Sequence, residues 1–267
     1  MIFKELGSTG ENIPALGLGT WGIGGYEAPD HSRDKQTIAL LEEAIEMGYT
    51  HIDTAEYYAA GHTEELIGEA IQSFAREKLF IVSKVWPTHL SSKDLPKALK
   101  GSLKRLNTDY IDLYLIHWYN PDLPLKESLS AMAEMKKLGF IRHIGVSNFN
   151  TNQLKSAIAV SSEPIVCNQV LYNIEDREPE KELLPFCQKN DITLTAYSPL
   201  RRKVVSENVK NILEKASRKY NVSIYQIMLA WLLSKERVVT IPKAASIEHL
   251  KENLQSLELL ENFELKL

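Results

Sequence analysis

The regular alternation of short apolar runs with amphipathic helical segments constrains the fold of this sequence more than any other feature. From residue 15 onward, eight runs rich in β-branched residues each precede a helical segment. Runs of this kind are typical of strands that are buried on both faces of a parallel sheet. Eight such units in about 250 residues predict a (β/α)8 TIM barrel, here a single domain over residues 1–267. A doubly wound sheet is the alternative, but it usually has fewer strands for one nucleotide site.

The periodicity also predicts the element boundaries. Strands are predicted at residues 15–19, 49–52, 79–85, 111–116, 141–146, 165–170, 192–197 and 237–241. Helices are predicted at residues 34–47, 64–74, 94–106, 125–138, 151–160, 180–189, 208–220, 224–234 and 246–257. Two short apolar runs in residues 3–16 flank a turn-rich connector, which predicts an N-terminal β-hairpin.

Composition excludes several classes of protein. The net charge of −4 gives no basic surface, so we expect no nucleic-acid partner. Cys167 and Cys187 have no CxxC spacing and no nearby histidine cluster, which indicates buried thiols in a reducing compartment. No N-terminal leader or membrane-length apolar run is apparent. We therefore expect a cytoplasmic protein with no membrane partner.

Residues 17–22 match the dinucleotide-binding pattern GxGxxG, but the pattern needs a helix that opens on its last glycines. The residues that follow include Gly24, Gly25 and Pro29, which a helix would not tolerate. The segment is predicted to be a loop that leaves the first barrel strand.

Ionisable residues stand at the ends of three predicted strands. Asp53 follows the second strand, with Tyr58 five residues on, and Lys84 and His117 end the third and fourth. Alone, Asp53 could cap a loop, Lys84 could extend to solvent and His117 could be a core imidazole. Because the carboxyl ends of barrel strands converge on one mouth, their joint placement beside a phenol predicts a catalytic site.

These four groups suit one kind of chemistry. A nearby ammonium group would lower the pKa of the Tyr58 phenol from about 10, and Asp53 would hold Lys84 in place. Tyr58 could then donate a proton to an oxygen, which a neutral His117 would orient. The set suits protonation of a carbonyl oxygen whose carbon is attacked by an external hydride.

Many ordered motifs of the chain resemble those of the aldo-keto reductases, which are NAD(P)H-dependent (β/α)8 barrels, and most of all those of prokaryotic members. The matching pieces are GLGTW (17–21), HIDTA (51–55) with Tyr58, VSK (82–84), DYIDL (109–113) with HW (117–118), IGVSNF (144–149), NQV (168–170), AYSPL (196–200) and IPK (241–243).

The resemblance implies roles for individual residues. Asp53, Tyr58, Lys84 and His117 would be the catalytic tetrad, with Tyr58 as general acid in the reversible reduction of aldehydes and ketones. The implied cofactor-binding residues are Gly19, Thr20, Trp21 and Asp53; Ser147, Asn148 and Gln169 at the carboxamide; Tyr197 on the nicotinamide ring; Ser198 and Leu200 along the pyrophosphate; and Lys243, Ser246, His249, Glu252 and Asn253 at the adenosine end. The implied substrate pocket comprises Trp21, Tyr58, Trp86, His117 and Trp118, while Ile23, Tyr57 and Tyr119 could line it or could pack in the core.

Two departures from the family pattern concern the cofactor. Where the family often has a hydroxyl residue after Lys243 and an arginine five residues further on, this chain has Ala244 and His249. We expect NADP(H) to be preferred by a smaller margin than usual, with NAD(H) usable. The basic run at residues 201–203 could add positive charge near the phosphates or be a solvated turn. Short segments after residue 200 and after the last helix predict an open site with broad carbonyl specificity.

Two other functions are compatible with such a barrel. A non-catalytic cofactor-binding subunit would keep the fold without turnover, but the tetrad is intact. A metal-dependent hydrolase would need clustered ligands at several strand ends, and the sequence offers only His117 with Asp53. The resemblance implies a monomer or weak dimer and leaves the physiological substrate and the reaction direction open.

Overall fold

The computed structural model describes residues 1–200 and 205–265. Its main feature is a parallel sheet of eight strands in sequential order. These strands are β3 (Leu18–Gly19), β4 (His51–Asp53), β5 (Phe80–Val85), β6 (Ile111–Ile116), β7 (Ile141–Ser147), β8 (Ile165–Leu171), β9 (Thr193–Tyr197) and β10 (Val238–Thr240). The Gly17 amide donates to the Thr240 carbonyl at 2.8 Å, and the Thr240 amide donates to Ala15 at 2.9 Å. These bonds join the first and last strands, so the (β/α)8 prediction is confirmed.

Helices surround the sheet and connect its strands. Their bounds are α1 (Asp34–Glu46), α2 (His62–Ala70), α3 (Leu95–Leu106), α4 (Leu125–Lys137), α5 (Thr151–Val160), α6 (Leu183–Lys189), α7 (Glu207–Tyr220), α8 (Ile224–Leu233) and α9 (Ile247–Gln255). Capping boxes at Asn150–Gln153 and Ser223–Gln226 begin α5 and α8, because each satisfies amides that have no partner within the helix.

Several helices and strands begin or end at residues other than those predicted. Helix α2 begins two residues earlier than predicted and ends at Ala70, since residues 71–73 tighten into a 3-10 turn. Helix α6 begins only at Leu183, because residues 178–180 form a separate 3-10 turn. Strand β4 includes Asp53, which the prediction had placed just beyond it. No helix opens on residues 17–22, so the rejection of the dinucleotide pattern is confirmed.

The predicted N-terminal hairpin is present as β1 (Phe3–Glu5) and β2 (Asn12–Pro14), which pair antiparallel. It lies at the end of the barrel where the strands begin, because the Gly7 amide donates to Thr193 Oγ1 at 2.8 Å. The Lys4 ammonium donates to the carbonyls of Leu233, Lys235 and Val238, each at 2.7 Å. Burial lowers the pKa of Lys4 to about 8.

Other expectations about the interior were also met. Both cysteine thiols are buried and form no disulfide.

At the end of the barrel where the hairpin lies, buried Asp112 accepts hydrogen bonds from Arg76 at 2.6 Å and from Arg142 at 2.7 Å. This carboxylate connects β6 to the strands on either side of it. Among the described helices, none is long and apolar enough to cross a membrane.

Candidate active site

The mouth at the carboxyl ends of the strands contains the four predicted ionisable residues. Lys84, from β5, donates from its ammonium to Asp53 Oδ1 at 2.6 Å, to the Thr54 carbonyl at 2.7 Å and to the Tyr58 hydroxyl at 3.2 Å. All three of its donors are therefore used. The ammonium connects the carboxylate to the phenol, as the sequence predicted.

Asp53 and Lys84 form a buried ion pair. Their side chains are 2% and 0% exposed, so they attract each other where water does not screen the charges. The second carboxylate oxygen, Oδ2, accepts from Gln169 Nε2 at 2.6 Å. Gln169, expected at the nicotinamide carboxamide, thus also holds the carboxylate of the tetrad from the far side of the barrel.

Tyr58 is positioned by a turn in a sparsely populated conformation. The three residues after it, Ala59, Ala60 and Gly61, all have positive φ, at 49°, 53° and 97°. The Ala59 amide donates to the Tyr26 carbonyl at 2.6 Å, which ties the turn to the loop after β3. Left-handed backbone at two alanines is strain, and it lies directly after Tyr58.

Replacing Ala60 by glycine should relieve part of this strain. Left-handed backbone costs an alanine about 1–2 kcal/mol, whereas the extra freedom of glycine in the unfolded chain costs about 0.4–1 kcal/mol. We expect Ala60→Gly to raise the free energy of unfolding in urea by about 0.5–1 kcal/mol. The matched control is Ala159→Gly, at an exposed helical position of α5, which should lower it by about 1 kcal/mol. Equal losses in the free energy of unfolding for Ala60→Gly and Ala159→Gly would show that the backbone at Ala60 is not strained.

Burial and charge set the protonation states of the tetrad. Burial raises the pKa of Tyr58 above its ordinary value, and Lys84 only partly opposes this. The expected lowering is therefore not found, because the phenol is almost completely enclosed. Burial alone would lower the pKa of Lys84, but Asp53 and Tyr58 raise it above its usual range. Tyr58 is thus a protonated donor and Lys84 a cation at neutral pH.

Burial, together with the charge of Lys84, lowers the pKa of His117 to about 2. The imidazole is neutral, as predicted.

An unfolded histidine titrates near 6.5, so between the pKa of folded His117 and this value the unfolded chain binds a proton that the folded chain does not. The free energy of unfolding should therefore fall as pH drops below about 6.5. We expect the loss between pH 7 and pH 5, measured by urea denaturation, to be about 1–2 kcal/mol smaller in His117→Gln. Equal losses would contradict this assignment.

A cavity of about 630 Å³ opens above the tetrad. Aromatic rings form one wall: Trp86 stacks on Tyr57 with centroids 3.9 Å apart, and Trp21 lies nearly parallel to Tyr57 at 6.2 Å. Trp21 also meets Tyr58 edge-on at 4.9 Å. Trp118 stands at the rim and is 45% exposed. One wall of the cavity that the tetrad faces is therefore aromatic.

The opposite wall is polar and held in place. Asn148 has a positive φ of 61° at the end of β7. Its amide group donates to the His117 carbonyl at 3.1 Å, and its oxygen accepts from the Tyr197 hydroxyl at 2.9 Å. The Ser147 hydroxyl donates to the Gln169 carbonyl at 2.9 Å. The bond to Asn148 fixes the hydroxyl of Tyr197, and the Tyr197 ring lies along the cavity.

The cavity has the polarity that a nicotinamide dinucleotide requires. Amide groups and the Tyr197 ring lie beside the tetrad, while Lys243 and His249 stand among its lining side chains on the β10 and α9 side. A cationic side chain suits phosphate oxygens, and an aromatic face suits a planar ring. The residues present therefore fit a nicotinamide cofactor.

The structure brings most, but not all, of the predicted site residues together. Those that line the cavity are Gly19, Thr20, Trp21, Asp53, Tyr57, Tyr58, Trp86, His117, Trp118, Ser147, Asn148, Gln169, Tyr197, Ser198, Leu200, Lys243 and His249. Within residues 1–200 and 205–265, the lining does not include Lys84, which is fully buried beneath it, or Ser246, Glu252, Asn253, Ile23 or Tyr119.

The residues outside the lining have other contacts. The Ser246 hydroxyl accepts from the His249 amide and begins α9. Asn253 is buried, and its backbone carbonyl accepts from Ser256 Oγ at 2.6 Å. The Ile23 carbonyl accepts from Thr63. The basic run at residues 201–203 lies outside the described residues.

Five lining residues were not predicted: Pro199, Tyr225, Ile241, Pro242 and Ala245. Pro199 and Pro242 adjoin predicted residues, and the motifs AYSPL and IPK could have indicated them. Tyr225 lies in the first turn of α8, and its contact depends on how that helix meets the mouth. No pattern in the sequence indicated it. Among the described residues, no group of three potential metal ligands lies in this cavity, so the hydrolase alternative gains no support.

Comparisons with known proteins identify relatives of this chain along most of its length. Residues 15–264 match the sequence profile of the Aldo/keto reductase family. Methylglyoxal reductase YeaE of Escherichia coli is 40% identical over 93% of this chain and 87% of its own length. A crystal structure of a thermostable aldo-keto reductase, Tm1743, with the inhibitor epalrestat has a TM-score of 0.96 at 64% identity, covering 100% of this chain and 96% of that one. An aldo-keto reductase from Klebsiella pneumoniae in complex with NADPH has a TM-score of 0.87 at 37% identity, covering 97% and 90%.

Proposed function

Because the chain belongs to the aldo/keto reductase family, and is therefore an NADP-dependent oxidoreductase of carbonyl compounds, we propose that it reduces small aldehydes such as the 2-oxoaldehyde methylglyoxal, with Tyr58 as the proton donor. One observation carries the proposal: the Lys84 ammonium contacts both Asp53 and the Tyr58 hydroxyl at the floor of an aromatic pocket. The relative named as a methylglyoxal reductase supports the choice of substrate.

The residues present have separate tasks. NADPH supplies a hydride to the carbonyl carbon when bound, held by Ser147, Asn148 and Tyr197 beside the tetrad. Tyr58 transfers its phenolic proton to the carbonyl oxygen, so the product is an alcohol. Lys84 stabilises the phenolate that remains, because its ammonium lies 3.2 Å from that oxygen. Neutral His117 orients the same carbonyl oxygen.

Oxidation of NADPH, followed by absorbance, tests the proposal against methylglyoxal, larger aromatic aldehydes, ketones and sugars. We propose further that the site is open, and we therefore expect turnover of methylglyoxal and of several aldehydes of different bulk. A cofactor-binding subunit would bind NADPH and turn over none of them. Tight discrimination among the aldehydes would contradict the proposed breadth, and no turnover at all would contradict the function.

The His249 position should weaken the preference for NADPH. A neutral imidazole cannot form the two charge-assisted bonds that a guanidinium forms with a phosphate. We expect a modest excess of kcat/KM with NADPH over NADH, and His249→Arg should raise that ratio by about tenfold. Asn152→Arg, which adds the same charge at an exposed position of α5, should not change it. A wild-type preference for NADH would overturn the expectation.

Three further expectations are part of the proposal. The whole chain is one domain, the protein is cytoplasmic, and it is a monomer or weak dimer. Buried, unpaired Cys167 and Cys187 support a reducing compartment. Sedimentation of the purified protein at several concentrations would measure its oligomeric state, and a stable tetramer would contradict it.

A further inference from the structure

Two histidines and an aspartate meet on the outer side of the loop that follows β3. His62 Nε2 lies 2.9 Å from Asp34 Oδ1, and His31 Nδ1 lies 3.0 Å from Asp34 Oδ2. One potential ligand atom from each of the three residues lies within 4.8 Å of the other two. We name these three residues the His31 cluster. It is not part of the cavity lining described above.

The ring of His62 is fixed in place. It is 6% exposed, and its other nitrogen, Nδ1, lies 3.0 Å from Glu65 Oε2. A Cβ added to Gly24 would come within 3.0 Å of His62 Cδ2, so the loop packs directly on the ring. A buried, oriented imidazole loses little freedom when it binds a ligand.

Both nitrogens of His62 face carboxylate oxygens. A neutral imidazole has one N–H, so if Nδ1 donates to Glu65, the lone pair of Nε2 points at Asp34. A metal ion between His62 Nε2 and Asp34 Oδ1 would take the place of the proton that otherwise links these two atoms. A histidine that binds a metal with one nitrogen and donates to a carboxylate with the other is the common arrangement in metal sites.

We propose that the His31 cluster binds one divalent transition-metal ion of the Zn²⁺ class, with His31, Asp34 and His62 as protein ligands. Ligands at about 2.0–2.2 Å from one zinc ion lie roughly 3 Å apart. Each histidine nitrogen already lies at that distance from an oxygen of Asp34, and coordination would bring the two nitrogens closer together from within 4.8 Å. Two imidazoles with one carboxylate favour such an ion over Mg²⁺ or Ca²⁺, which prefer oxygen ligands. Glu65 is the positioning residue that holds the His62 ring.

Such an ion would stabilise a loop that contributes to the pocket. His31 and Asp34 lie at the end of the loop between β3 and α1, and His62 begins α2 directly after the turn at Ala59–Gly61. The same loop carries Trp21 and already bonds to α2, because Thr63 Oγ1 donates to the Ile23 carbonyl at 2.7 Å. The ion would strengthen this connection between loop and helix.

Calorimetric titration of Zn²⁺ into untagged, chelator-treated and dialysed protein tests this site. We expect one ion per chain, with affinity at least tenfold lower in His31→Ala and about tenfold lower in Glu65→Gln. The matched control is His143→Ala, which removes a histidine paired to Glu11 at 2.7 Å elsewhere in the chain and should bind Zn²⁺ like the wild type. Mg²⁺ should give no comparable binding.

Hydrogen exchange provides a second measurement that does not depend on a buried substitution. Zn²⁺ should slow exchange of amides in residues 22–33 in the wild type, and it should not do so in His31→Ala, whose exposed side chain is not needed for folding. Absence of stoichiometric binding would overturn the proposal. So would binding that His31→Ala and Asp34→Asn leave undiminished, because the cluster would then be an ordinary set of histidine–carboxylate hydrogen bonds.

Discussion

Replacing Tyr58 by phenylalanine should abolish aldehyde reduction, with a loss in kcat of at least about 10²–10⁴-fold. The substitution removes the proton donor and little else, because the ring keeps its edge-on contact with Trp21 at 4.9 Å. The affinity for NADPH, measured by fluorescence titration, should stay within about twofold. Single-turnover measurements would place the loss in the chemical step rather than in cofactor binding.

The adjacent phenol provides a matched control. Tyr57 stacks on Trp86 through its ring, and this contact does not need the hydroxyl. Tyr57→Phe should therefore retain most of the turnover. If Tyr58→Phe remained active while Tyr57→Phe lost activity, the proton donor would have been assigned to the wrong residue.

Replacing Lys84 by methionine should lower both stability and turnover. The change leaves the Asp53 carboxylate buried, with Gln169 as its one remaining side-chain partner among the residues that the structure describes. Removal of one member of a buried ion pair typically costs about 3–5 kcal/mol, because the other charge is left uncompensated. We expect a loss of this size in the free energy of unfolding in urea, and a kcat that falls with the loss of phenolate stabilisation.

The double variant Asp53→Asn/Lys84→Met separates these two effects. It removes both charges and keeps an oxygen for Gln169, so most of the lost stability should return. Turnover should not return, because no ammonium group remains beside Tyr58. If the double variant recovered activity along with stability, the effect of Lys84 would be structural only.

Most of the site could be predicted because strand ends in a barrel converge. Asp53, Lys84 and His117 end neighbouring strands, and their positions follow once the strands are counted. The direction of the Tyr58 pKa could not be predicted, because it depends on how completely the phenol is enclosed. The sequence indicates the charge beside the hydroxyl but not the burial that outweighs it.

Contacts that depend on how the helices pack could not be predicted from the sequence either. Tyr225 reaches the cavity from the first turn of α8, whereas Asn253, predicted at the cofactor, is buried in α9 away from the lining. The helical period identifies a buried face but not which neighbour it meets. The ends of α2 and α6 moved for a similar reason, since 3-10 turns depend on local hydrogen bonds that apolar spacing does not specify.

The three hydrogen bonds of Lys4 have a consequence for how the chain folds. They join residues separated by 229 to 234 positions in sequence, so they can form only after the chain has been synthesised as far as the last barrel strand. During synthesis, the hairpin emerges before the barrel strands and must wait for its docking surface. Contacts this distant in sequence slow folding and leave the partly assembled barrel exposed to misassembly. We therefore infer that docking of the hairpin is among the last steps of folding.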